Sequence, residues 1–492
     1  MQQDGASREM SVAIIGAGPA GLTAAYELRK RVPGCRSRVF EADRLVGGIS
    51  RTETHRGYRF DIGGHRFFTK VPEVERMWHE VLGEDFITVR RLSRIYYRGK
   101  FFHYPLRLLP TLSALGLWES ARIGLSYLRW QIRPHPRDDS FEGWVINRFG
   151  RRLYRHFFES YTQKVWGIPP RQIRADWAAQ RIRNLSLYKA VRNAISGAND
   201  TASLIERFRY PRLGPGMMWE RVRALIEAEG DEVCLGARVV RLRREGNRVT
   251  AIEVREDGPE GPRTTTVAAD HVVSTMALRD LVECFDPPPP EEVRAAAARL
   301  RYRDFLIVTL VLDHPDPFPD NWIYIHSPEV RVGRIQNFRA WSAEMVPVPD
   351  HASIGMEYFC NMDDDLWTMP ETGLRDLAAR ELARLGLARV EDVVDFAVIR
   401  QPKAYPVYDE TYKAALGTVA DWLGSLENFH TAGRNGLHRY NNQDHSMLTA
   451  MLVARNIAGE THDVWSVNVE RAYHEDFELS PERRKESAPA VV

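Results

Sequence analysis

Near the start of this 492-residue chain, three glycines and an acid follow one another in an order that can hold a pyrophosphate. Residues 11–28 join an apolar strand pattern, Ser-Val-Ala-Ile-Ile, to an Ala/Leu-rich helix through G-x-G-x-x-G. Gly16 permits the tight turn and Gly18 lets backbone approach the anion. Gly21 lets helix and strand pack closely, so that free helix N–H groups aim at the phosphates. A second strand, Arg38-Val-Phe, ends at Glu41, 20 residues after Gly21, where a carboxylate can accept hydrogen bonds from an adenosine ribose. Gly47-Gly48-Ile-Ser-Arg51-Thr adds a second glycine turn and a guanidinium that could neutralise the pyrophosphate. Next comes Tyr58-Arg-Phe-Asp-Ile-Gly63-Gly64-His65, a glycine pair ending in an imidazole, suited to close approach to a flat ring. A purely structural loop histidine is an equal reading of His65.

The elements that must position these groups come from both ends of the chain. Asn428-Phe-His-Thr-Ala-Gly433-Arg434 reads as a short buried strand ending in glycine, and Ser446–Ile457 as an apolar helix. A helix N-terminus there would favour electron density on a bound ring. Cofactor segments at 11–70 and 425–460 require a discontinuous domain with a second region inserted. The expected division is a flexible 1–10, a dinucleotide domain from 11–100, 208–300 and 415–475, a helical substrate or lid domain at 101–207, a substrate-binding sheet domain at 301–414, and a flexible tail at 476–492. Within it, Gly214-Pro-Gly216 opens a helix over 220–229, and Ala237-Arg-Val-Val-Arg-Leu pairs with Val249-Thr-Ala-Ile-Glu-Val across Glu245-Gly-Asn. Val272-Val-Ser-Thr reads as a further dinucleotide-domain strand, and segments at 306–312, 322–326, 334–338 and 354–359 as a substrate-facing sheet.

Composition narrows the class. With 44% hydrophobic and 27% charged residues the chain reads as globular. A formal charge of +2 gives no support for a nucleic-acid or polybasic membrane partner. The cations are 60 Arg and 8 Lys, a bias that is either compositional background or a supply of phosphate-binding forks. Cys35, Cys234, Cys284 and Cys360 lack metal-ligand or disulfide spacing. The polar first ten residues predict no leader and a cytoplasmic protein. The apolar stretch Leu106–Leu128 is interrupted by Pro110, Glu119 and Arg122, so a core helix pair is expected rather than a membrane span.

The order of strand, G-x-G-x-x-G, Glu and G-G-x-S-R-T resembles the FAD superfamily of amine oxidases, protoporphyrinogen oxidase, carotenoid desaturases and UDP-galactopyranose mutases. It implies an α/β fold with a Rossmann-like FAD domain of the GR2 type, an inserted helical domain and an antiparallel substrate sheet. G-G-H followed by aromatics is similar to the eukaryotic type of UDP-galactopyranose mutase, as are three further segments. Lys164-Val-Trp166…Trp177-Ala-Ala-Gln-Arg181 resembles its K-V-W…W…R element, and Arg334-Ile-Gln-Asn-Phe its second arginine strand. Gly433-Arg-Asn-Gly-Leu-His-Arg-Tyr440-Asn-Asn-Gln443-Asp444-His-Ser resembles the segment with a diphosphate tyrosine and flavin contacts.

The cofactor set so implied is Gly16, Gly18, Gly21, Glu41, Gly48, Arg51, Gly63, Gly64, Val239, Gly433, Gln443 and Asp444. Arg181, Arg334 and Tyr440 would hold a substrate diphosphate from three distant segments, with permanently charged forks and a hydroxyl. Each arginine alone, in a chain with sixty of them, is more often a surface or ion-pair residue, and only their joint occurrence beside aromatic motifs favours the diphosphate role. Tyr405 would add a phenol or form a turn, and Tyr161 and Trp166 would stack on uracil or fill the helical domain. The resemblance implies that reduced FAD attacks the anomeric carbon of a nucleotide sugar through N5, forming a sugar adduct that lets pyranose and furanose interconvert. His65 would sense or stabilise the reduced flavin, and NAD(P)H would be an activating reductant. The rival readings are an FAD oxidase or desaturase of an amine, porphyrinogen or isoprenoid, and a non-catalytic UDP-sugar binding protein. Self-association stays open.

Overall fold

A computed structural model describes residues 10–175, except 105 and 107, together with 207–468. A parallel sheet orders its strands Phe429–Thr431, His271–Ser274, Met10–Ile15, Cys35–Glu41 and Glu232–Leu235, so neighbours in space come from opposite ends of the sequence. Helices Pro19–Arg31, Gly216–Ala228 and Gln443–Ile457 share one core with it, the first packing on the last, with Ala20, Ala24, Ala450 and Ala454 all buried in that core. Small side chains here bring the two helix axes together. This is the Rossmann-like core expected from the glycine motif. Its opposite face packs on Ala237–Glu245 and Arg248–Gly258, an antiparallel pair that continues into Gly261–Ala268.

A seven-stranded sheet runs Val393–Pro406, Tyr302–Leu312, Ala352–Cys360, Arg334–Asn337, Trp322–Ile325, Ser93–Tyr97 and Lys100–His103. It is antiparallel except between Trp322–Ile325 and Ser93–Tyr97. Residues 93–100, grouped in the sequence with the cofactor segments, and 101–103, grouped with the helical domain, therefore pair into this sheet. Tyr302–Leu312 is buried along almost its whole length, and from Phe305 to Leu312 it is apolar but for Thr309, because both its faces are covered. Phe305 and Ile307 face the helical insert, while Leu306, Val308, Leu310 and Leu312 face the helix Glu371–Arg384.

The insert comprises Leu108–Leu115, Leu117–Ile132, Phe141–Phe149, Arg151–Phe157 and Glu159–Trp166. Ser140 caps the third of these, its hydroxyl accepting from the Gly143 amide at 3.2 Å. The expected core helix pair is corrected in one respect. On Leu117–Ile132 only Ile123 is fully buried, and the helix presents most of its apolar side chains outward. Among the described residues no helix is long and apolar enough to cross a membrane, and no cluster of His, Cys, Asp and Glu could hold a metal ion.

Candidate functional site

The dinucleotide cradle forms where the first strand meets its helix. Gly16 takes φ +98° and donates its amide to the Phe40 carbonyl at 2.8 Å. A Cβ on Gly21 would stand 1.8 Å from the Gly16 carbonyl oxygen, which is the close helix–strand approach anticipated for that position. Gly47 donates to the Ala17 carbonyl at 2.8 Å, and a Cβ on Gly18 would meet the Gly48 Cα at 3.8 Å, so the two glycine turns face each other.

Glu41 accepts from the amides of Ala17 at 2.7 Å and Asp43 at 2.9 Å. Its carboxylate keeps acceptor capacity beyond these two bonds. Arg51 is buried and donates to Glu53 at 2.6 Å, the Gly48 carbonyl at 3.0 Å and Gln401 at 2.8 Å. It thus braces the second glycine turn, with its charge already balanced by Glu53. Val239 lies buried beside a bulge in its ladder and shares a core with Phe40.

The late segment closes this cradle. Gly433, at φ +87°, donates to Thr449 Oγ1 at 2.9 Å, and a Cβ there would come within 3.0 Å of the Ala20 side chain. Gln443, at the start of its helix, donates to the His65 carbonyl at 3.4 Å, linking the end of the chain to the Gly63–His65 turn. Gln443 Oε1 and Asp444 Oδ1 are buried without hydrogen-bond partners among the described residues. Buried polar atoms are rarely left so. With two helix N-termini and facing glycine turns, these atoms fit a bound flavin dinucleotide.

Beyond the turn lies a cationic and aromatic wall. Gly63 has φ +100°, and Cβ atoms on Gly63 and Gly64 would stand 4.0 and 3.8 Å from the Arg334 guanidinium. Arg334 pairs through Nε, at 2.7 Å, and Nη2 with fully buried Glu357, which also accepts from Gln336. Tyr405 and Tyr440 stack with centroids 5.4 Å apart, and the Arg434 guanidinium lies 5.5 and 5.0 Å from their rings. Arg434 itself donates to the carbonyls of Asn441 at 2.9 Å and Ala404 at 3.1 Å.

Burial, then Arg434 and Arg334, push the His65 pKa down to about 3, leaving a neutral imidazole at physiological pH. Burial raises Glu357, against the pull of Arg334, and holds the Tyr161 and Tyr405 phenols in their neutral form. Tyr161 stacks on His326 with centroids 4.4 Å apart and meets Tyr324 edge-on. Trp166 is 2% exposed and enclosed by Tyr405, Tyr408 and Tyr440. Lys164 explains why its motif can position both aromatics. Its ammonium donates to the carbonyls of Ile325, Ser327 and Val332, tying the helix Glu159–Trp166 to the sheet, and burial lowers its pKa to about 8.

The structure thus gathers His65, Arg334, Tyr161, Trp166, Tyr405 and Tyr440 around one region, while Arg181 lies outside the described residues. Arg434, Glu357, Tyr324 and His326 were not singled out from sequence. Arg434 directly follows Gly433, so its neighbourhood was legible. Glu357 becomes meaningful only through the register that sets it opposite Arg334.

The family of flavin-containing amine oxidoreductases matches residues 19–431. The chain belongs to that family. Membership implies FAD as cofactor. The protein named "Putative flavin-containing monoamine oxidase AofH" of Mycobacterium tuberculosis is 27% identical over 307 residues, 58% of this chain and 62% of the relative. The match therefore spans less than two thirds of that relative's length. Coproporphyrinogen III oxidase of Staphylococcus aureus is 25% identical over 172 residues, 32% of this chain and 36% of the relative. In three dimensions, a reduced UDP-galactopyranose mutase superposes with a TM-score of 0.81 at 21% identity, over 94% of this chain and 97% of that one. A putrescine oxidase with bound putrescine gives 0.60 at 20% identity, over 92% and 99%. These two likenesses establish the fold.

Proposed function

We propose that this flavoenzyme acts on a nucleotide sugar and interconverts the pyranose and furanose forms of a UDP-sugar. One observation carries the reading: two guanidiniums, Arg334 and Arg434, sit with the phenols of Tyr405 and Tyr440 beside the Gly63–His65 turn. A protonated amine would be repelled from such a wall, whereas a diphosphate finds forked donors and neutral hydroxyls. Reduced FAD, when bound, supplies the nucleophile that such an isomerisation needs.

The chain's own residues do the rest. Arg334, held by Glu357, and Arg434 would bind the diphosphate as it departs and returns, with Tyr405 and Tyr440 donating hydrogen bonds and Arg181 completing the clamp. Tyr161 would offer its ring to the base. Trp166 excludes water behind the tyrosine pair. Neutral His65 can donate one hydrogen bond toward the flavin and add no charge. NAD(P)H is the proposed activating reductant, not consumed stoichiometrically, because isomerisation conserves the oxidation state of the sugar.

A second reading has one specific support: sequence kinship to a coproporphyrinogen oxidase, whose substrate carries carboxylates that two arginines could also bind. Anaerobic mixing of the oxidised holoenzyme separates the two. UDP-sugars are expected to leave the flavin spectrum oxidised. Bleaching by a porphyrinogen or an amine at catalytic rates would replace the mutase reading with an oxidase one.

A further inference from the structure

The apolar helix Leu117–Ile132 has no part in the site above. Its inner face sets Ile123 in the core of the insert, with Tyr127 and Trp130 half-buried against that core. Its outer face carries Leu117, Trp118, Leu125, Leu128 and Ile132, between 57 and 92% exposed. Twelve large apolar side chains are exposed among the described residues, and five of them lie on this one helix. Single exposed apolar residues need no explanation, but a contiguous group does.

The group is ordered. Trp118, Leu125 and Ile132 recur every seventh residue, with exposed Ala121 and Leu128 between them, so they form one stripe along about 21 Å of helix. Exposed Arg122, Arg129 and Arg133 fall along one flank of that stripe by helical spacing. The single acid in the segment, Glu119, is turned inward, 17% exposed at its side chain, and bound by Arg152 and His156, with Arg122 Nη1 3.9 Å from its second oxygen.

We propose that this helix docks the protein on an anionic phospholipid bilayer. The helix lies in the plane of the headgroups, its stripe in the acyl boundary and its arginines on lipid phosphates. Charge complementarity selects this occupant. Two copies meeting through the same face would bring six arginines together with no exposed acid from the helix itself to balance them, whereas an anionic leaflet neutralises each one. With no helix fit to span a bilayer among the described residues, the contact is peripheral and reversible.

Flotation of the FAD-loaded protein with vesicles tests this, comparing pure phosphatidylcholine with phosphatidylcholine containing about 30% phosphatidylglycerol. The protein is expected to float with the anionic vesicles, less with the neutral ones, and less again as salt rises. Leu125→Glu with Leu128→Glu should lower the bound fraction about tenfold on both vesicle types. Arg129→Glu with Arg133→Glu should remove only the advantage of the anionic ones. All four positions are exposed, so flavin content and melting temperature should be unchanged in both variants. Wild-type protein that stays soluble with both vesicle types overturns the proposal, as does flotation indifferent to both variants. A vesicle-free dimer that Leu125→Glu with Leu128→Glu converts to monomer also overturns it, assigning the face to a second copy.

Discussion

Arg334 and Arg434 share one wall of the site but are compensated differently. Arg434 has carbonyls and aromatic faces around it and, among the described residues, no carboxylate partner. Arg434→Ala should therefore weaken UDP-sugar binding by about 1.5–3 kcal/mol, measured by titration calorimetry, with a smaller effect on stability. Arg334→Ala should lose affinity by a similar amount. It should also destabilise the fold by about 3–5 kcal/mol, because Glu357 would be left buried and unpaired. Adding Glu357→Gln should restore much of that stability in denaturant unfolding and none of the affinity.

Sequence pointed to Arg334 but not to its partner. A motif shows which residue types occur, whereas a cross-strand pair depends on register. Asp61 was equally hidden, although it sits just before the glycine pair. It is fully enclosed, accepts hydrogen bonds from Tyr210 and Thr52, and burial pushes its pKa up to about 7. A carboxyl raised in the folded state stabilises below its unfolded pKa, and that contribution is lost as pH rises through the folded one. Between about pH 4 and 7 the melting temperature should fall in the wild type relative to Asp61→Asn, in parallel scanning-calorimetry series.

At the scale of elements, the glycine turn was legible because it is local: strand, turn and helix lie within twenty-one residues, Ser11–Arg31. Its geometry makes Gly21 intolerant. Gly21→Ala would drive a methyl into the Gly16 carbonyl, so a loss of about 3 kcal/mol or more and a flavin-depleted protein are expected, read from unfolding and from the absorbance ratio at the flavin band. Gly63→Ala should cost about 1–3 kcal/mol through its φ of +100°, with the added effect of shifting His65 and the Arg334 contact. The helix Leu117–Ile132 was read less well. Apolar content announced a helix but not which face the fold would cover, since that depends on what the insert packs against.

At the scale of the molecule, the chain forms one parallel-sheet core closed from both ends around the inserted helices and seven-stranded sheet, because strands Met10–Ile15 and Phe429–Thr431 lie in one parallel sheet. Motifs at positions 16–21 and 433–446 made that closure visible in advance. Family membership then shows FAD, and the fold is shared by enzymes that oxidise and by one that isomerises. Fold alone does not choose between such chemistries. The choice rests on the cationic wall. The most direct measurement is anaerobic incubation of dithionite-reduced enzyme with UDP-galactopyranose and related UDP-sugars, with products separated by chromatography. A furanose isomer formed without net consumption of reductant is the predicted result, and the absence of any isomerised product across the panel would contradict it.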